Sequence, residues 1–265
     1  MIGWMHASGY TELSYQSHGH VGVITIQRPD ARNALTHTTY AELEDAVRTT
    51  TARCLVITGV DPAFCSGDDV KQIMVAAGEQ VSERLARQPR LTPAAEALLT
   101  TDVPVIAAVN GAAVGWGMEL ALMADIRIAS DRAKLGELFV KRGLNCDVPG
   151  LGRLAAIAGR EVAAELLFTG RVVDADEAHR LRLVSRVVPH GELMPAALAL
   201  AHEIAANPPR AVQRLKAGLR TALDPDWHEL GRWVSASLAE LFRTNDHSEG
   251  VAAFLERRDP NYTGT

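Results

Sequence analysis

Residues 103–129, VPVIAAVNGAAVGWGMELALMADIRIA, contain an apolar run, a glycine-bearing turn, a run of small and apolar residues and a second apolar run. Val103–Val109 is short and apolar, so it predicts a buried strand, which Asn110-Gly111 brings to an end. Gly115–Ala124 predicts a helix and Ile126–Ala129 another buried strand. Strands separated by a helix in this order predict right-handed crossovers in a partly parallel sheet, and therefore the α/β class.

Upstream, His20–Arg28 (HVGVITIQR) alternates like a half-buried strand and stops at Pro29. A helix is expected from Thr36, with Tyr40, Leu43 and Val47 at helical spacing, and Cys54–Thr58 (CLVIT) predicts a further buried strand. After the turn-rich 59–69 comes a polar helical stretch through Ala97, interrupted by Pro89 and Pro93. Beyond Pro149 the pattern is helical: 151–158, 161–168, 176–183, 193–206, 211–223 and one long stretch from Trp227 to Phe254. Asp174 with Glu177 has the spacing of a capping box.

At 265 residues and 47% hydrophobic content, the chain can bury one substantial core with an appended helical region. Its net charge of −5 gives no overall positive field for nucleic acid or an anionic membrane, so an anionic ligand must be met by local groups. No apolar run approaches the roughly 18 residues that span a bilayer, and Met1–Tyr10 lacks the regions of a signal peptide. The expectation is a cytoplasmic protein. Cys54, Cys65 and Cys146 have neither disulfide-framework nor metal-ligand spacing, and the nine histidines form no HExxH pair, so reduced thiols and no metal are expected.

Chemistry is expected at two glycine-bearing turns, 63–69 (AFCSGDD) and 110–120 (NGAAVGWGMEL). Glycine lets backbone approach a ligand closely, and the second turn runs into a helix whose first N–H groups have no internal partners and attract negative charge. Both also fit plain tight βα turns. Neither matches GxxxxGK[ST] or GxGxxG, which disfavours nucleotide-driven chemistry.

From about Tyr15 to Tyr262 the ordered segments resemble the crotonase (enoyl-CoA hydratase/isomerase) superfamily. The matching pieces are Gln27-Arg28-Pro29 with Asn33-Ala34-Leu35, then 64–71, Pro104–Asn110, and Asn110–Ala129 including Glu119-Leu120-Ala121. They continue with Leu166–Gly170, Ala175–Ala178 and Phe254–Arg258. The resemblance implies a crotonase-type spiral of ββα units over residues 1–200, carrying the coenzyme A and active sites. Residues 201–265 would form a C-terminal helical trimerisation region, in a homotrimer or a hexamer made of two trimers. No cofactor is implied beyond the coenzyme A thioester that serves as substrate.

The resemblance further implies that the backbone N–H groups of Ser66 and Trp116 form an oxyanion hole for a thioester enolate, worth about 3 kcal/mol per donor. Relatives usually carry glycine at the Trp116 position; the indole could equally fill the core. Glu119 matches one of the two glutamates of the hydratases, but the other falls at Phe139, which cannot move a proton. Asp147 occupies a position where relatives that isomerise double bonds carry an acid, although Asp also suits a turn or helix N-cap there. Glu119 has a bland reading as complement to its own helix N-terminus, and Glu137 is a reserve acid.

Arg32, Ala34, Asp68 and Lys71 match positions that line coenzyme A, while Lys216, Arg257 and Arg258 would reach a neighbouring subunit's ligand or remain surface charges. Arg182 stands where relatives end a helix in a left-handed glycine, a conformation that costs a non-glycine residue about 1 kcal/mol. The preferred reaction is enoyl-CoA double-bond isomerisation, with Asp147 as base and Glu119 as partner. Hydration of a trans-2-enoyl-CoA is the alternative, and a catalytically weak coenzyme A-binding scaffold is the reading from another class. A serine hydrolase using Ser66 lacks a matching histidine.

Overall fold

The computed structural model describes residues 9–75, 78–87 and 90–265; the start of the chain and Pro89 lie outside the described residues. The strands are β1 Leu13–His18, β2 Val21–Ile26, β3 Cys54–Gly59, β4 Ala63–Cys65 and β5 Val105–Val109. They continue with β6 Ala112–Val114, β7 Ile126–Ser130, β8 Lys134–Gly136, β9 Val173–Asp174 and β10 Arg186–Val188. A six-stranded sheet runs β1-β2-β3-β5-β7-β10, and a four-stranded sheet runs β4-β6-β8-β9. Successive pairs, β3 with β4, β5 with β6 and β7 with β8, each give one strand to either sheet. This repeat builds the spiral of ββα units.

Burial on both faces explains why the central strands are continuously apolar. On β5, Val105, Ala107 and Val109 join one core, which contains Ile24, Leu55 and Phe64. Ile106 and Ala108 face the other, against Leu193, Ala197, Ala201 and Ala205 of a covering helix. Those four small or apolar residues stand four apart, one helical stripe laid flat on the sheet.

The helices are α1 His37–Thr49, α2 Gly78–Arg87, α3 Pro93–Thr100, α4 Trp116–Met123, α5 Val148–Ala158 and α6 Arg160–Thr169. They continue with α7 Ala175–Arg180, α8 Leu193–Ala205, α9 Pro209–Leu223, α10 Trp227–Leu241 and α11 Asn245–Glu256. Thr36 caps α1 by accepting from the amides of Thr38 and Thr39. The expected long final helix is two: the chain breaks at 242–244, and Thr244 caps α11 by accepting from the His247 amide. β1 pairs antiparallel with β2 as an edge strand; its polar sequence, LSYQSH, hides the alternation that marks a strand.

The expected capping box closes on one side only. Asp174 accepts from the Glu177 amide, but the Glu177 carboxylate pairs with Arg171 at 2.9 Å. Arg182 does take a left-handed conformation, φ 63°, after α7.

Lys216 is engaged within its own chain and is not a free surface charge. Its ammonium is buried, 2.8 Å from both Asp125 and the Val103 carbonyl, so it ties α9 to the entry of β5. Lys216→Ala leaves that carboxylate partly buried without its cation and is expected to lower unfolding free energy by about 3 kcal/mol in urea titrations. Arg258 pairs with Glu249 and Glu256 on the surface, and Arg257 ends α11 in a left-handed turn, φ 56°.

Candidate active site

The site begins where two turns press backbone against backbone. Gly67 has φ +86°, and a Cβ there would stand 2.8 Å from the Val114 carbonyl and 3.1 Å from the Trp116 amide nitrogen. A Cβ at Gly117 would collide with the Cys65 carbonyl. Glycine at these two positions therefore lets the N-terminus of α4 lie directly on the turn after β4.

Backbone hydrogen bonds decide which amides remain available. The Ser66 N–H donates to the Arg32 carbonyl at 3.1 Å, the Gly67 N–H to Cys65 Sγ at 3.4 Å, and the Asp69 N–H to the Leu35 carbonyl at 2.8 Å. The Asp68 N–H, between them, has no acceptor among the described residues, and neither does the Trp116 N–H in the first turn of α4. The expectation for Ser66 is thus corrected by one step of two residues. Its amide is engaged in holding the 28–35 turn, and the available donor in this loop is that of Asp68.

Asp68 and Trp116 stand in the walls of two cavities. The first, about 460 Å³, brings together Arg32, Ala34, Ser66, Lys71 and Arg142 beside them. The second, about 320 Å³, is lined by Tyr40, Leu144, Asp147, Leu238 and Phe242, with Phe139 common to both. The larger chamber carries three cations, Arg32, Lys71 and Arg142, beside three acids, Asp30, Asp68 and Asp69, and the smaller is mainly apolar with carboxylates. That division suits a charged handle joined to an apolar chain.

Four acids, Asp68, Glu119, Glu137 and Asp147, interact electrostatically here, and their surroundings set them apart. Asp147 is the N-cap of α5: Oδ1 accepts from the Val148 amide at 2.8 Å, while Oδ2 accepts from the indole Nε1 of Trp116 at 3.2 Å. It nevertheless lines the smaller cavity and is only half-buried. Burial raises its carboxyl above the ordinary value, and the Val148 and Trp116 donors oppose that rise. Trp116, far from filling space alone, packs edge-on against Tyr40, with ring centroids 4.7 Å apart, and orients Asp147.

Glu119 has 0% exposure. Its Oε1 accepts from the Asp147 amide at 2.9 Å and its Oε2 from the Gly150 amide at 2.7 Å, so both oxygens hold the first turn of α5. The helix end it complements is that of α5, not the one it sits on. Burial, then the charges of Glu137 and Asp147, push its carboxyl well above the usual range.

Glu137, at 1% exposure, lies in a wall of a third cavity of about 670 Å³ with Leu151, Leu167 and Trp233, and neither of its oxygens has a hydrogen-bond partner among the described residues. Burial, then the charge of Asp147, drives its carboxyl well above the ordinary value. A carboxyl raised by folding contributes its full stability below the unfolded value, near 4.3, and loses it as pH rises toward the folded one. Glu137→Gln should therefore stabilise the protein at pH 8 by roughly 1–3 kcal/mol. The gain should shrink toward pH 5 in urea unfolding curves.

A model of the enoyl-CoA hydratase/isomerase family matches residues 16–265. The chain belongs to that family. A putative enoyl-CoA hydratase/isomerase of Bacillus subtilis is 37% identical over 92% of this chain and 95% of its own length. The crotonyl-CoA hydratase of Syntrophomonas wolfei is 34% identical over 96% of this chain and 98% of its own. The crystal structure of carnitinyl-CoA hydratase from Mycobacterium avium superposes with a TM-score of 0.80, at 35% identity, covering 96% and 99% of the two chains. The fold is thus the crotonase fold, and the chain is an enzyme of the enoyl-CoA hydratase/isomerase type. No described helix is long and apolar enough to cross a membrane.

Three groups in the site were not singled out from sequence. Tyr40 reads as one more apolar-face residue of α1, yet its hydroxyl donates to Asp68 Oδ1 at 2.6 Å. Arg142 lies beyond a strand of three residues, too short to show its alternation. The resemblance places Asp68 at coenzyme A and gives its side chain no role; the one signal for that side chain is a second acid beside Asp69 in the turn.

Proposed function

We propose that this enzyme binds an acyl-CoA thioester and stabilises its enolate between the Asp68 and Trp116 amides, with Asp147 as the proton-transferring base. The observation that supports it is the position of Asp147, whose carboxylate shares one cavity with both residues that offer free amides. Negative charge that develops on a thioester oxygen is stabilised by fixed donors at a helix N-terminus. Arg32, Lys71 and Arg142 line the larger chamber and would meet phosphate, with Ala34 beside them. Glu119 acts by holding Asp147, since both its oxygens are taken.

Double-bond isomerisation is the first reading, because one carboxylate can remove a proton at one carbon and return it at another while Phe139 replaces a hydratase glutamate. Hydration is the second. It is favoured by the relatives named as hydratases, and by a second carboxylate in the cavity, that of Asp68. Purified protein with crotonyl-CoA, and separately with a 3-enoyl-CoA, followed by ultraviolet absorbance, distinguishes them. Loss of enone absorbance supports hydration, its gain supports isomerisation, and coenzyme A binding without either supports the scaffold.

Within 201–265, Ala201 and Ala205 pack on the large sheet and Leu238 and Phe242 line the smaller cavity, while α9 serves assembly in this proposal. Leu215, Leu219 and Leu223 form an exposed stripe along α9 at helical spacing, a face that a neighbouring subunit of a trimer or hexamer would cover.

A further inference from the structure

We infer that the Asp68 side chain is the second acid–base group of this site, giving a proton to the substrate while Asp147 takes one. The inference rests on the enolate reading above and extends it to a residue whose amide alone entered that reading. Among the four acids, Glu119 is fully enclosed with both oxygens engaged, and Glu137 lies in the wall of the third cavity with both oxygens buried. Of these four, Asp68 and Asp147 line the smaller cavity, and both are half-buried, with surface that opens to a ligand; a further acid in its wall, Glu44, pairs with Arg48 at 2.9 Å. Asp68 Oδ1 accepts from Tyr40, and Oδ2 has no partner among the described residues. Proton donation to carbon needs such a free oxygen.

The surroundings suit that role. Burial, the foremost cause, together with the charge of Asp147, pushes the Asp68 carboxyl up to about 6, against the lowering effects of Tyr40 and Arg142. Cys65 lies on the strand before it, its thiol pushed up to about 12 by burial, and so stays neutral. His37 and Glu44 of α1 also line the cavity. Two carboxylates whose charges oppose each other hold one proton between them more readily than none.

For a 3-enoyl thioester the balance is as follows. The C2–H bond breaks, its proton passes to the Asp147 carboxylate, and the electron pair moves onto the thioester oxygen as a dienolate. The O–H bond of protonated Asp68 then breaks, and its proton forms the new C4–H bond as the dienolate electrons return and the double bond settles between C2 and C3. Asp147 is left protonated and Asp68 ionised; transfer of one proton between them through solvent resets the pair. In hydration, Asp147 takes the proton of the attacking water and Asp68 supplies the one that ends on C2. A single pair serves either reaction.

Asp68→Asn tests this, because it keeps the backbone N–H and an oxygen to accept from Tyr40. Turnover of the thioester that the wild type converts is measured against pH, alongside exchange of the α-proton of butyryl-CoA in heavy water by NMR. The expected result is a fall in kcat of roughly 10²–10⁴-fold with KM little changed. The limb on which activity falls as pH rises through about 6 should vanish, while α-proton exchange, which needs only Asp147 and the amides, persists. Tyr40→Phe, which removes a donor that lowers the Asp68 carboxyl, should move that limb to higher pH. Wild-type turnover in Asp68→Asn, or an equal loss of exchange and turnover, overturns the role of Asp68. A wild type that neither exchanges nor converts either thioester overturns the enolate reading beneath it, and the role of Asp68 with it.

Discussion

Asp147→Asn is expected to lower kcat by roughly 10²–10⁴-fold, the contribution of a positioned general base, while KM for the acyl-CoA changes little. The reasoning starts from geometry. Asp147 receives two N–H donors, from Val148 and from the Trp116 indole, and keeps room to face the cavity. An asparagine accepts one of these through its single oxygen but presents its own N–H₂ to the other. The variant therefore loses the base and one orienting hydrogen bond, worth about 1 kcal/mol of stability. Thermal unfolding separates that small loss from the kinetic one. Because the carboxyl is raised by burial, the wild-type rate should climb with pH through a value above the ordinary aspartate range, as the base ionises. Asp147→Asn should lack this limb. Unchanged kcat in a folded Asp147→Asn protein would remove Asp147 from the chemistry.

Gly117→Ala should be nearly as damaging, by a different route. The added methyl meets the Cys65 carbonyl, and both partners are backbone, so neither can swing aside. The turn after β4 and the start of α4 must move apart, which separates the Asp68 and Trp116 amides. Losing one oxyanion donor costs about 3 kcal/mol, hence a drop in kcat/KM of roughly 10²-fold or more. Overpacking should add about 1–3 kcal/mol of lost stability, seen as a lower urea midpoint. The distinguishing outcome is a protein still folded at 25 °C, still binding coenzyme A through the 460 Å³ chamber, and nearly inactive.

Much of this architecture is legible in residues 103–129, because a strand buried on both faces must be apolar throughout and a βα turn must be marked by glycine. β5, α4 and β7 follow directly from that stretch. The smaller sheet does not. Its strands of two or three residues, such as Val173–Asp174, are too short to display a period of two. The break between α10 and α11 is equally obscure, since Phe242-Arg243-Thr244 carries neither glycine nor proline and the Thr244 cap looks like any helical threonine.

Within the site, sequence order pointed to the two turns and to Asp147, but not to which amide of 66–68 is free. That depends on Arg32, thirty-odd residues upstream in a left-handed turn, whose carbonyl takes the Ser66 N–H. Nor could spacing show that Glu119 faces α5: its two acceptors are satisfied by Asp147 and Gly150, about thirty residues downstream. Hydrogen bonds between distant segments have no periodic signature, and they are what sorts four acids into one structural clamp, one unpartnered group and two that line the smaller cavity.

The most direct measurement is a crystal structure of the protein with acetoacetyl-CoA, whose readily formed enolate resembles the charged intermediate. The thioester oxygen should lie about 2.7–3.1 Å from the backbone nitrogens of both Asp68 and Trp116, with the α-carbon facing the Asp147 carboxylate. A thioester oxygen that meets neither nitrogen, or an acyl chain seated away from Asp147, would contradict the account.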